Sequence, residues 1–88
     1  MSQEMNDEGK ALAFVLVSCE MGSEKAVMDQ LKTFDAVKEA IGTFGVYDIL
    51  VKLEADSDQK LSDVITQKIR KMDKVRTTTT LMVMQEWE

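Results

Sequence analysis

Two short stretches hold the residues best suited to bind something. In FGVYD a tyrosine and an aspartate, Tyr47 and Asp48, follow Gly45 by two and three positions. In KVRTTTTLMVM four threonines run directly into four apolar residues. Successive strand residues point to opposite faces. A strand here puts Thr77 and Thr79 on one face with Leu81 and Val83. Thr78 and Thr80 share the other with Met82 and Met84. Either one pair faces solvent and the other lines a polar pocket, or all four simply favour β structure. Asp48 has its own bland alternative, a solvent-facing residue at a sheet edge.

Little else could do chemistry. The chain has no histidine, so it lacks the side chain best placed as a base near neutral pH. Its single cysteine, Cys19, excludes a disulfide framework and any zinc site of the usual Cys/His kind. In an apolar run it reads as a small buried hydrophobe. The four glycines are scattered and form no phosphate loop. Asp56 and Asp58 read as helix caps rather than metal ligands. No cofactor and no metal are expected. Enzymes of the cofactor-free oxygenase type remain an alternative, but they use His, Trp or Asn lining a cavity. Here the one tryptophan, Trp87, falls in the C-terminal tail.

The 88 residues make one domain, 44% hydrophobic and 31% charged, which places the chain among globular proteins. So short a chain buries roughly 60–68% of its unfolded surface, which limits the core. A net charge of −5 argues against binding nucleic acid directly. Lys68, Arg70, Lys71, Lys74 and Arg76 cluster locally and read as a solvated helix end. Residues 1–10 are acidic and polar, and are expected to form a flexible tail that is neither a signal nor a transit peptide. ALAFVLV is too short to span a bilayer. A cytoplasmic, reducing location is expected.

The positioning elements follow from periodicity. Ala11–Cys19 is a strand apolar on both faces, as in a strand covered on both sides. Ser23 is a candidate cap for a helix carrying Val27, Leu31 and Phe34, with Lys25 and Asp29 as an i,i+4 pair. Gly45 reads as the turn of a hairpin. After it, Tyr47, Ile49, Val51 and Leu53 alternate with Asp48, Leu50, Lys52 and Glu54, giving one apolar face. Leu61, Val64, Ile65, Ile69 and Met72 form a helical stripe behind Asp56, Ser57 and Asp58. The threonine strand closes the domain. The order β-α-β-β-α-β predicts an α+β, ferredoxin-like sandwich: a four-stranded antiparallel sheet with two helices on one face. The open face is then an apolar patch, which predicts a dimer formed by stacking sheets face to face.

The segment FGVYDILVKLEAD, residues 44–56, resembles the G-x-Y-D hairpin of the Lrp/AsnC family of transcriptional regulators. VRTTTTLMVM, from Val75, resembles that family's closing strand, with its V-x-x-T-x-T pattern. The resemblance covers the effector-binding, or RAM, domain over residues 11–86. A first strand near residue 11 is expected to leave no room for the family's helix-turn-helix, so the chain resembles stand-alone RAM proteins. The resemblance implies homodimers assembled into octamers or decamers, and an amino-acid effector bound between dimers. It implies full-length Lrp/AsnC regulators as partners, with no direct contact to nucleic acid or membrane. By position, Gly45, Tyr47 and Asp48 match the hairpin motif, and Thr78 and Thr80 match T-x-T. Val46 stands where an acidic residue is frequent. These six are the candidate ligand-binding residues. Backbone N–H groups and hydroxyls can donate to a carboxylate, and Asp48 can accept from an ammonium. A purely structural assembly protein that binds nothing small is a further alternative.

Overall fold

Four strands and two helices position these residues in the computed structural model, which describes residues 10–84. The flexible N-terminal tail and Trp87 of the expectation lie outside the described residues, apart from Lys10. The elements are β1 (Ala11–Cys19), α1 (Glu24–Leu31), β2 (Val37–Gly42), β3 (Ile49–Ala55), α2 (Asp58–Val64) and β4 (Val75–Met82). Ile65–Ile69 continues α2 as a wider π turn. The strands form one antiparallel sheet in the order β2-β3-β1-β4. This is the ferredoxin-like arrangement expected from the element order.

Burial sorts the two faces. Ala13, Val15, Val17 and Cys19 of β1 are buried, as are Ile49, Val51 and Leu53 of β3. They pack with Val27 and Leu31 of α1, with Leu61, Ile65 and Ile69 of the second helical segment (α2 and its π turn), and with Met72 just beyond it. Val64, the remaining member of the sequence stripe, is half-buried beside them. Burying a side chain of this size contributes about 1.5–3 kcal/mol. The intervening residues Leu12, Phe14 and Leu16 of β1 and Leu50 of β3 point to the other side and stay only half-covered.

The helix starts differ. Ser57 has extended backbone (φ −152°, ψ 162°), and its hydroxyl accepts from the Lys60 N–H at 3.2 Å. It is a true cap. Ser23 stands at the corresponding position of α1 but does not cap with its side chain. Its backbone (φ −102°, ψ 4°) is not extended, and the hydroxyl instead donates to the Glu20 carbonyl at 2.6 Å. That corrects the expectation from sequence. The Lys25–Asp29 pair is present at 3.0 Å. Asp56 meets Lys60 at 3.3 Å and Lys10 at 3.9 Å rather than capping. No described helix is long and apolar enough to cross a membrane.

Candidate functional site

Between β2 and β3 lies the loop of residues 43–48. Gly45 has φ +124°, where a side chain would be strained. The loop is nevertheless tightly tied. The Thr43 N–H donates to the Asp48 carbonyl at 2.8 Å, and the Thr43 hydroxyl donates to the Tyr47 carbonyl at 2.8 Å. The Asp48 N–H donates to the Val17 carbonyl at 2.8 Å. The Asp48 carboxylate in turn accepts from the Cys19 N–H at 2.9 Å. Asp48 thus closes the end of β1 beside the shift in register between Ser18 and Cys19. It is half-buried and engaged, not a free edge residue.

Asp48 and Tyr47 precede β3, so the alternation read from sequence does not extend to Tyr47. Continued alternation would place Tyr47 with Ile49, on the helix side. Instead its hydroxyl lies 2.8 Å from the Thr79 hydroxyl. Thr79 pairs with Leu16 across β1 and β4 and therefore shares the open face. The positive φ at Gly45 changes the course of the chain ahead of β3. Phe44 and Val46, on either side of that glycine, are exposed.

Thr78 and Thr80 take the other side. They pair with Val17 and Val15, both fully buried beneath the helices. Thr78 and Thr80 therefore face the second helical segment across an edge strand. A hollow of about 360 Å³ lies between them and that segment, walled also by Ser62, Ile65, Thr66 and Met82, with Arg70 at one end. A neighbouring hollow of about 300 Å³ shares Arg70 and Thr78 and is completed by Val75, Arg76 and Thr77. The structure thus groups Gly45, Val46, Tyr47 and Asp48 on one loop, and Thr78 and Thr80 on the opposite side of the sheet. The two groups do not converge within one chain.

Sequence reasoning missed Arg70 and Thr79. From sequence Arg70 reads as part of a solvated helix end, and only the folded structure brings it beside Thr78 of β4. Thr79 belongs to the same run as the matched threonines but gains its partner through the loop. Cys19 is buried, and burial pushes its thiol pKa above the ordinary 9.0, with the nearby Asp48 carboxylate adding to the rise and the neighbouring Ser23 hydroxyl opposing it. It is no nucleophile at neutral pH. Among the described residues no cluster of His, Cys, Asp and Glu could hold a metal.

Comparison with known proteins places this arrangement. The model of the Lrp/AsnC ligand binding domain matches residues 12–88. The regulatory protein AsnC of Haemophilus influenzae is 37% identical over 59 residues, 67% of this chain and 39% of that regulator. The chain thus spans about two fifths of the length of the curated relative it matches. Two solved structures are 39% identical. That of FFRP-DM1 superposes with a TM-score of 0.82, covering 84% of this chain and 99% of the other. The hypothetical protein PHS023 from Pyrococcus horikoshii has a TM-score of 0.80, covering 86% and 92%. The chain belongs to the Lrp/AsnC family, through its ligand-binding domain.

Proposed function

We propose that the chain is a non-enzymatic, amino-acid-responsive regulatory module that assembles through its open sheet face and binds its effector between chains. Family membership supports the regulatory role. The observation that carries binding between chains is the split of the matched residues. Tyr47 and Asp48 lie on the loop, and Thr78 and Thr80 lie across the sheet on the helix side. A ligand that uses both groups must draw the loop from one chain and the threonines from another. Gly45 and Val46 shape the loop, Asp48 meets the ammonium with its remaining acceptor capacity, and the threonine hydroxyls donate to the carboxylate.

Assembly rests on the uncovered face. Leu12, Phe14, Leu16 and Leu50 form its centre, with Ile41 and Leu81 about half exposed at its flanks. Such a patch matches an isologous dimer interface. In this reading residues 11–86 form one unit. The homodimers join into octamers or decamers and act in the cytoplasm on full-length Lrp/AsnC regulators, without touching DNA or membrane. Native mass spectrometry with and without a mixture of the twenty amino acids tests it. Dimers and their multiples carrying a bound amino acid are expected. A monomer that retains no amino acid at micromolar concentration overturns the reading.

A further inference from the structure

A larger hollow, of about 560 Å³, opens at the end of the sheet away from the FGVYD loop and shares no residue with the hollows beside Arg70. It lies on the helix side, between the turn after α1 and the start of α2. Phe34, Ala36, Ala55 and Val64 form an apolar floor, half-buried against the core. Its walls are tied together: the Val37 N–H donates to the Phe34 carbonyl at 3.0 Å, and the Glu54 N–H donates to the Ala36 carbonyl at 2.9 Å. Three lysines stand around the floor. Lys60 is paired with Asp56 at 3.3 Å. Lys38 and Lys68 make no ion pair with a described residue. The Lys68 ammonium lies 5.6 Å from the centroid of the Phe34 ring, and Lys38 donates only to the Asp35 carbonyl, at 3.2 Å. The carboxylates of Asp35 and Glu54 complete the rim.

A second observation is where the chain enters the fold. Ala11 pairs with Ala55 of the floor, and the Lys10 ammonium lies 3.9 Å from the Asp56 carboxylate on the rim. The chain that precedes Lys10 therefore starts at the mouth of this hollow. Residues 1–9 carry Glu4, Asp7 and Glu8 and no lysine or arginine. Glu8 and Asp7 stand two and three positions before Lys10, within about 10 Å of it along an extended chain.

We infer that this hollow is the seat of the chain's own N-terminal segment, residues 1–9. Glu8 and Asp7 meet the ammoniums of Lys38 and Lys68, and Met5 lies on the floor against Phe34. Asp35 and Glu54 accept from backbone N–H groups of the segment. Ion pairs at an exposed rim are individually weak and are screened by salt. The segment is thus a cover whose grip depends on ionic strength. Stacking the open sheet faces leaves the seat on the outer side of a dimer, so assembly and covering do not compete.

The test is paramagnetic relaxation enhancement in the full-length, ¹⁵N-labelled protein with a nitroxide attached at Ser2→Cys, the buried Cys19 staying unlabelled. The expected result is selective broadening of the amides of Phe34, Lys38 and Lys68 at low salt. It should be lost near an ionic strength of about 1 M, where the screening length falls to about 3 Å. Lys38→Glu together with Lys68→Glu removes the broadening. Adding Asp7→Lys and Glu8→Lys to that variant restores it, which a merely disturbed fold does not do. Broadening spread evenly over both ends of the sheet overturns the inference, as does broadening that survives the charge reversal or is not restored by the swap. So does equal broadening in a mixture of spin-labelled ¹⁴N protein with ¹⁵N protein lacking the label, which gives the hollow to another copy's segment.

Discussion

The hydroxyls of Tyr47 and Thr79, 32 residues apart in the chain, meet at 2.8 Å on the open face of the sheet. This contact ties the loop between β2 and β3 to the edge strand β4, two strands away across the sheet. Together with the Asp48 bonds to Val17 and Cys19, it holds in place a loop whose glycine lies in the left-handed region.

Tyr47→Phe removes this contact without changing the ring. A loss of about 0.5–1 kcal/mol is expected, at the low end for a hydrogen bond because both partners are partly solvated. Thr79→Val should cost a similar amount. Urea unfolding of the two single variants and the double variant measures the coupling. Strict additivity would show that the hydroxyls do not act as a pair.

Neighbouring positions on β1 should respond in different ways. Phe14 is half-covered on the open face, whereas Val15 is fully buried beneath the helices. Phe14→Asp is expected to give a folded monomer. Val15→Asp places a charge in the core at a cost of several kcal/mol and is expected to leave the chain largely unfolded. Light scattering together with circular dichroism distinguishes the two. A Phe14→Asp protein that still dimerises rules out the open face as the interface.

Ligand binding should separate the threonines by face. Thr78→Val and Thr80→Val keep the β-branched shape and remove a hydroxyl. Each is expected to weaken amino-acid binding by about 1.5–3 kcal/mol, the value of a hydrogen bond to a charged group. Thr77→Val alters only the rim of the smaller hollow and should have a lesser effect. Asp48→Asn retains an acceptor for the Cys19 N–H and removes the charge, so it tests the ammonium contact with little structural cost. Calorimetry with whichever amino acid the chain retains gives these values. Equal losses from Thr77 and Thr78 would mean that the run is only a strand.

Which of these distinctions were legible in the sequence depended on how local their cause was. The stripe Leu61, Ile65, Ile69 and Met72 is buried as its spacing requires, because helical period alone fixes a face. Ile49, Val51 and Leu53 followed in the same way from strand alternation. Tyr47 did not, since one glycine with positive φ breaks the alternation ahead of β3. The π turn has no signature in a pattern of apolar residues. Arg70 could be related to Thr78 only once β4 was known to pair with β1 along the edge nearer α2. Ser23 has the residue type of a cap but donates its hydroxyl to a neighbouring carbonyl, a choice set by the turn at Gly22.

Cys19 should resist thiol reagents at neutral pH, being buried and held protonated. Because its pKa is raised on folding, its contribution to stability is fully present below about pH 9 and declines as pH rises further. Slow labelling by iodoacetamide in native protein, with fast labelling in urea, is the expected pattern. Rapid native labelling would place the thiol at the surface.

The purified chain should not bind DNA specifically at physiological salt, given its net charge of −5. A gel shift that survives competitor DNA would contradict this.

The strand order has a consequence for how the molecule is made. β1 lies between β3 and β4, and its Ala13 pairs with Met82. During synthesis β1 can pair with β3 once Ala55 is made, but its second neighbour, β4, is supplied by the ribosome only near residue 82. Until then its edge, with Val15 and Val17, is open to other nascent chains, the situation in which unpaired strands aggregate. Pairing over so long a separation is also slow. The Tyr47–Thr79 contact and the hollow beside Arg70 both need β4, so neither exists in a growing chain. Recognition by this protein is a property acquired after translation, and a ribosome stalled before β4 would release a sticky chain without a binding function.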